Sequence, residues 1–218
     1  MAGSVKRGPA AAPPGFRIRR ELMDADRIAR ALARMAHQIV ERPRDAQGLV
    51  LIGVRTRGVP LARRLARLVA EAGAPTPPVG ALDITLYRDD LTTVASQPVL
   101  RGTEFPASID GRTVVLVDDV LYTGRTVRAA LDEIIDFGRP ARIKLAALVD
   151  RGHRELPICP DYVGQTITTS REETVQVLLE EEDREDRVLL LERAPAAPSA
   201  ASPRPPAPRG KKKRGRRP

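Results

Sequence analysis

The sequence predicts an α/β domain with a mainly parallel sheet flanked by helices, and three observations lead there. The apolar runs Leu-Val-Leu-Ile-Gly-Val from Leu49 and Val-Val-Leu-Val from Val114 are too short for helices and too uniformly apolar for half-exposed strands, so they read as strands buried on both faces. Each gives way to a polar turn and then to apolar residues spaced three and four apart, the period of a helix. With 218 residues the chain has room for one substantial domain, and no apolar run approaches the roughly 18 residues that a membrane span needs.

Charge and composition divide the chain. Of the formal net charge of +9, residues 1–20 contribute +5 and residues 194–218 contribute +8, which leaves −4 for the stretch between them. The high overall pI therefore says nothing about nucleic-acid binding by the folded part, which needs a local basic face. Residues 1–20 mix Pro, Gly, Ala and Arg without periodicity and read as an arm without order; residues 194–218 are rich in Pro, Ala and Ser, finish KKKRGRRP, and read the same way. The folded domain is expected over 21–193. Basic residues near the start are not followed by an apolar core, and the single cysteine, Cys159, has no intrachain partner, so a reducing cytoplasm is the expected setting. No Cys/His cluster points to zinc.

Taken in order, Asp24 is a candidate N-cap for a helix with Ile28, Leu32, Met35 and Ile39 on its apolar face. The opposite row, Arg27, Arg30, Arg34 and His37, reads from spacing as a solvated face. After the strand from Leu49 comes Arg55-Thr56-Arg57-Gly58, then a helix with Pro60 in its first turn and Leu61, Leu65 and Leu68 facing inward. Residues 79–86 read as a strand, and 87–110 show no sustained period; a stretch of that length without secondary structure is usually functional or mobile. Gly138 and Pro140 end a helix that carries Val127, Ala130, Leu131, Ile134 and Ile135, and 142–149 gives the next strand. Shorter strands are expected at 162–167, 175–179 and 188–191, together forming a small hood, with Glu180-Glu181-Glu182-Asp183 as a solvated turn.

The chemistry concentrates after the strand at Val114. Asp118 and Asp119 end that strand, and the turn Tyr122-Thr123-Gly124-Arg125-Thr126 opens the next helix. Backbone N–H groups at a helix start lack intrahelical partners and carry partial positive charge, so they bind phosphate. Gly124 allows close backbone approach, Thr123 and Thr126 add hydroxyls, and Arg125 adds a cation. The two carboxylates cannot bind phosphate but suit sugar hydroxyls, so ribose 5-phosphate fits both halves. In an open parallel sheet ligand sites gather at the carboxyl ends of strands, which lets Arg55 and Arg57 face the same cleft.

VVLVDDVLYTGRT, from Val114 to Thr126, resembles the phosphoribosyl-pyrophosphate (PRPP) motif of the type I phosphoribosyltransferases. GVRTRGVPLARRLA from Gly53, DITLYRDDL from Asp83 and LVDRGHRELPICPDYVG from Leu148 narrow the resemblance to the bifunctional pyrimidine-operon regulatory proteins that also have uracil phosphoribosyltransferase activity. That resemblance implies transfer from PRPP to uracil with Mg²⁺ carried by PRPP, and a homo-oligomer. Asp118 and Asp119 would hold ribose, with Val120, Leu121 and Tyr122 in the PRPP and UMP site; Thr123, Gly124, Arg125 and Thr126 would hold the 5′-phosphate. Arg55, Thr56, Arg57 and Arg88 would handle pyrophosphate, Arg88 from a loop that closes over PRPP. Purine-specific relatives carry a carboxylate just before the Thr-Gly pair, where this chain has Tyr122, which argues against a purine substrate.

The resemblance also implies binding of pyrimidine-operon mRNA under control of UMP or UTP, with His37, Arg42, Thr56, His153 and Arg154 at the RNA-contact positions. Ala33, Cys159 and Gln165 stand where close relatives carry a threonine, an arginine and a lysine. The alternative is a phosphoribosyltransferase acting on uracil or another base with no RNA role.

Overall fold

A computed structural model describes residues 12–41, 48–84, 103–105 and 108–194. Five strands form one all-parallel sheet in the order β3-β2-β4-β5-β6, where β2 is Leu49–Val54, β3 Val79–Leu82, β4 Thr113–Leu121, β5 Arg142–Asp150 and β6 Tyr162–Thr166. Three helices pack on it: α1 (Ala25–Val40), α2 (Gly58–Glu71) and α3 (Arg125–Phe137). A second, antiparallel sheet of three strands, in the order β1-β8-β7, consists of β1 (Phe16–Met23), β8 (Arg187–Arg193) and β7 (Thr174–Leu178), with the one-turn helix α4 (Glu180–Asp183) between β7 and β8.

The apolar alternation within each central strand explains the layers. Leu51, Val115, Val117 and Leu148 point to one side, where Ile28, Leu32, Leu61 and Leu65 of α1 and α2 meet them together with Val177, Val188 and Leu190 of the small sheet. Val50, Ile52, Val114 and Leu116 point to the other and pack under Val127, Ala130 and Ile134 of α3. Burying both faces removes the need for polar residues in these strands. Asp24 caps α1 as expected, its side chain accepting the Arg27 N–H at 2.8 Å.

Several expectations need correction. Order begins before residue 21: Phe16–Met23 is a paired strand, although its burial is confined mainly to Leu22 and Met23. The first of the three strands expected in the hood, at Tyr162, instead extends the main sheet in parallel beside β5, so the hood is completed by β1. The strand at Val79 spans four residues and stops at Leu82. Ile135 does not face inward; it is exposed, as is Phe137, which stacks on Phe105 at 3.6 Å between centroids. Arg34 is not merely solvated, since it donates to the Val163 and Gly164 carbonyls and ties α1 to β6. Among the described residues no helix is long and apolar enough to cross a membrane.

Candidate active site

The carboxyl ends of β2, β4 and β5 lie side by side, with Gly53 opposite Val117 and Leu121 opposite Asp150. The turn after β2 is seated against β4 by two glycines. A Cβ on Gly53 would lie 2.4 Å from the Gly58 carbonyl oxygen, and a Cβ on Gly58 would lie 2.4 Å from that of Val117. Only hydrogen at both positions lets Arg55, Thr56 and Arg57 come down beside the strand that carries the acidic pair. Arg55 and Thr56 are exposed, Arg57 is half-buried, and the peptide between Arg55 and Thr56 is cis. Arg55 meets Glu104 at 3.3 Å.

Asp118 and Asp119 do not terminate β4 but lie within it, because pairing with β5 continues to Leu121. Asp118 is buried, 5% exposed, and Asp119 half-buried. Each makes a hydrogen bond one residue on: the Asp119 N–H donates to Asp118 Oδ1 at 3.0 Å, and the Val120 N–H to Asp119 Oδ1 at 2.9 Å. Burial, and then the adjacent Asp119 charge, pushes the Asp118 carboxyl well above the ordinary carboxylate range. Burial raises Asp119 as well, against the hydrogen bonds from Asp118 and Val120 and the charge of Arg57. Such a pair attracts hydroxyl donors and cations, since either would relieve the repulsion.

Gly124 is the N-cap of α3 in the left-handed region, φ 94°, and brings no side-chain cap of its own; of the N–H groups at the helix start, that of Arg125 reaches Thr123 Oγ1 at 3.4 Å. Thr123 accepts the Glu155 and Leu156 N–H groups through its carbonyl at 3.0 and 3.2 Å, fastening the turn to the segment after β5. Arg125 is exposed and paired with Glu155 at 2.9 Å, a contact that solvent makes weak enough to exchange for a phosphate. Thr126 is exposed at the first turn of α3.

Arg154 has a structural part that its sequence does not announce. Its guanidinium donates to the carbonyls of Tyr122 at 2.7 Å, Gly152 at 3.1 Å and Ile158 at 3.0 Å, and it pairs with Asp150 at 2.7 Å. His153, at φ 58°, bonds the Thr169 carbonyl through Nε2 at 2.6 Å and meets the Tyr122 ring edge-on. Arg151, 6% exposed, stacks its guanidinium 4.0 Å from the centre of that ring and donates to the carbonyls of Ser170 and Glu173. Burial lowers its pKa. These side chains line an open cavity of about 490 Å³ with Cys159 and Thr169. His37 is exposed in the last turn of α1. Arg42 and Arg88 lie outside the described residues.

Two features went unanticipated. The acidic run at Glu180 is no plain solvated turn: Asp183 holds Arg57 through Nε at 3.0 Å and Nη2 at 2.8 Å, and Glu181 with Asp186 holds Arg64 at 2.5 to 2.8 Å. Arg151 over Tyr122 is the other. Neither has a local signal, because the partners lie on separate elements.

Comparison with known proteins agrees with this geometry. The family described as Phosphoribosyl transferase domain matches residues 19–182. The "Bifunctional protein PyrR" of Pelotomaculum thermopropionicum is 60% identical over 178 residues, 82% of this chain and 98% of that protein. Its namesake in Deinococcus radiodurans is 57% identical over 171 residues, 78% of this chain and 93% of that one. Among solved structures, a hypoxanthine phosphoribosyltransferase of Trypanosoma cruzi superposes with a TM-score of 0.62 at 21% identity, covering 80% of this chain and 92% of that one, which establishes the fold. With the parallel sheet, the acidic pair and the turn at Gly124 in place, these matches mean that the chain belongs to the phosphoribosyltransferases, among the bifunctional PyrR proteins.

Proposed function

We propose that this protein transfers the phosphoribosyl group of PRPP to uracil and that its nucleotide-occupied form regulates pyrimidine-operon mRNA. The observation that carries the enzymatic half is the pairing of buried Asp118 with half-buried Asp119 in β4, placed just before the Gly124 start of α3. In the reaction the bond from C1′ to the pyrophosphate oxygen breaks, pyrophosphate leaves with the electron pair, and a uracil ring nitrogen bonds to C1′ as its proton is lost. Positive charge on the ribose faces Asp118 and Asp119; negative charge on the leaving group faces Arg55 and Arg57. Thr123, Gly124, Arg125 and Thr126 retain the 5′-phosphate throughout.

Among the described residues no cluster of three or more His, Cys, Asp or Glu forms a metal cage. Two adjacent carboxylates with raised pKa values suit Mg²⁺ that arrives on PRPP, which keeps most of its ligands from phosphate, sugar and water. Bound there, the ion would offset charge on the pyrophosphate.

Base preference tests this reading. At saturating PRPP and Mg²⁺, kcat/KM for uracil should exceed that for hypoxanthine and guanine, since Tyr122 stands where a purine-type carboxylate would. Faster purine turnover would reassign the substrate.

The regulatory half rests on the PyrR relationship and on exposed His37, with Arg42 and Thr56 as further contacts. Deleting residues 194–218 should weaken binding to every RNA by a similar factor and flatten the fall of log K with log salt, each lost phosphate contact accounting for a slope of about 0.7 on single strands. UMP-dependent preference for a pyrimidine-leader RNA over a scrambled one should survive. Loss of that preference on deletion would move recognition from the domain to the tail.

A further inference from the structure

Arg57 stands between two acidic groups on different parts of the fold. It is the N-cap residue of α2, fixed by the glycine-tight turn after β2, and close enough to Asp119 for each charge to act on the other. From the hood, Asp183 grips it with both carboxylate oxygens, and Asp183 is itself held: its Oδ2 accepts the Leu179 N–H at 2.9 Å, and its side chain is only 18% exposed. Arg64, about two turns further along α2 on the same side, meets the rest of the acidic segment through Glu181 and Asp186. The Arg57–Asp183 pair is therefore flanked by a second set of ion pairs between the same two parts of the fold.

The fork is engaged from one side. Nε and Nη2 face Asp183, while Nη1 makes no hydrogen bond among the described residues. A guanidinium bound along its Nε edge still presents its Nη1 end to a second anion, in a direction fixed by the first.

We propose that Asp183 is a positioning residue for phosphoribosyl transfer: from the hood it clamps one edge of Arg57 so that the other meets the pyrophosphate end of PRPP. The inference rests on the reading of Arg57 as a pyrophosphate group given above. It gives the hood a direct part in PRPP recognition. Burial works against the Asp183 charge, but the Arg57 hydrogen bonds and the Leu179 N–H outweigh it and keep the carboxyl below its ordinary value, so the clamp is fully charged at neutral pH. A clamp that withheld Arg57 from pyrophosphate would have the opposite consequence for affinity, which makes the sign of the effect decisive.

The test uses the full chain with PRPP, Mg²⁺ and uracil. Asp183→Ala should raise KM for PRPP on the order of tenfold while leaving KM for uracil unchanged, the scale usual for groups that orient a ligand-binding side chain. Asp183→Asn, which keeps the volume and an acceptor for the Leu179 N–H, should fall between it and wild type, and it guards against a failure of Asp183→Ala to fold. In an Arg57→Ala background, Asp183→Ala should cost nothing more, because a residue that acts through Arg57 has nothing left to act on. Tighter PRPP binding in either Asp183 variant, or a loss that adds in full to that of Arg57→Ala, would overturn the proposal. If Arg57→Ala lowers kcat/KM for PRPP and the Asp183 variants do not, the positioning role falls alone; if Arg57→Ala has no effect, the assignment of Arg57 falls and takes the clamp with it.

Discussion

Replacing both carboxylates, Asp118→Asn with Asp119→Asn, should reduce phosphoribosyl transfer by on the order of 10²-fold or more while leaving a folded protein whose Tm is at or above that of wild type. On the proposed reading the loss follows from removing the negative charge that faces the ribose, where positive charge develops in the transition state. The gain in stability follows from the raised pKa values of the pair. An acid whose folded pKa exceeds its unfolded one binds its proton more tightly in the folded state, so its contribution to stability is complete below the unfolded pKa and is lost as pH rises through the folded pKa. Wherever the pair is ionised its charge is therefore a cost to stability, and neutral amides remove that cost. The same shift fixes the sign of the pH profile: PRPP binding should weaken on acidification from above the ordinary carboxylate range. Near-wild-type turnover by the folded double variant would remove these residues from the site. A fall in Tm would show that their charge does not strain the free protein.

The second large effect is expected at Arg154. Arg154→Ala deletes hydrogen bonds to the carbonyls of Tyr122, Gly152 and Ile158 and leaves Asp150, whose side chain is 16% exposed, without its cation. Breaking a largely buried pair from one side costs about 3 kcal/mol. Chemical denaturation should register that loss, and KM for PRPP should rise as well, because the Tyr122 carbonyl belongs to the turn proposed to receive the 5′-phosphate. Arg154→Lys should rescue little, since one ammonium cannot reach all the acceptors spread around a planar fork. Unchanged stability with loss of RNA binding alone would make Arg154 a pure RNA contact.

How much of this was readable beforehand depended on whether the determining partner was local. The central strands at Leu49, Val114 and Arg142 were legible because burial on both faces leaves a mark in each run itself. The turn at Gly124 was legible for a similar reason, its chemistry being contiguous. β1 was not: Phe-Arg-Ile-Arg-Arg-Glu is more highly charged than the arm before it, and it becomes a strand through backbone pairing with β8, from Phe16 opposite Arg193 to Met23 opposite Val188. The placement of Tyr162–Thr166 was ambiguous for want of length, since five residues of mixed burial suit the edge of either sheet. Asp183 looked like one of four solvated acids because its partner, Arg57, lies 126 positions away.

The pairing of β1 with β8 sets an order of events during synthesis. β1 emerges from the ribosome among the first segments of the domain, and its partner among the last. The main sheet, whose strands run from Leu49 to Thr166, can assemble while the chain is still growing, whereas the hood waits for Arg187–Arg193. Until then β1 is an unpaired edge in a crowded cell. Arg17, Arg19, Arg20 and Glu21 keep it from joining a stranger, as charged residues do on exposed strands. The polarity that hid this strand in the sequence is thus what makes its long wait safe, and the nascent protein acquires its hood, with the Asp183 contact to Arg57, only when nearly the whole domain has been made.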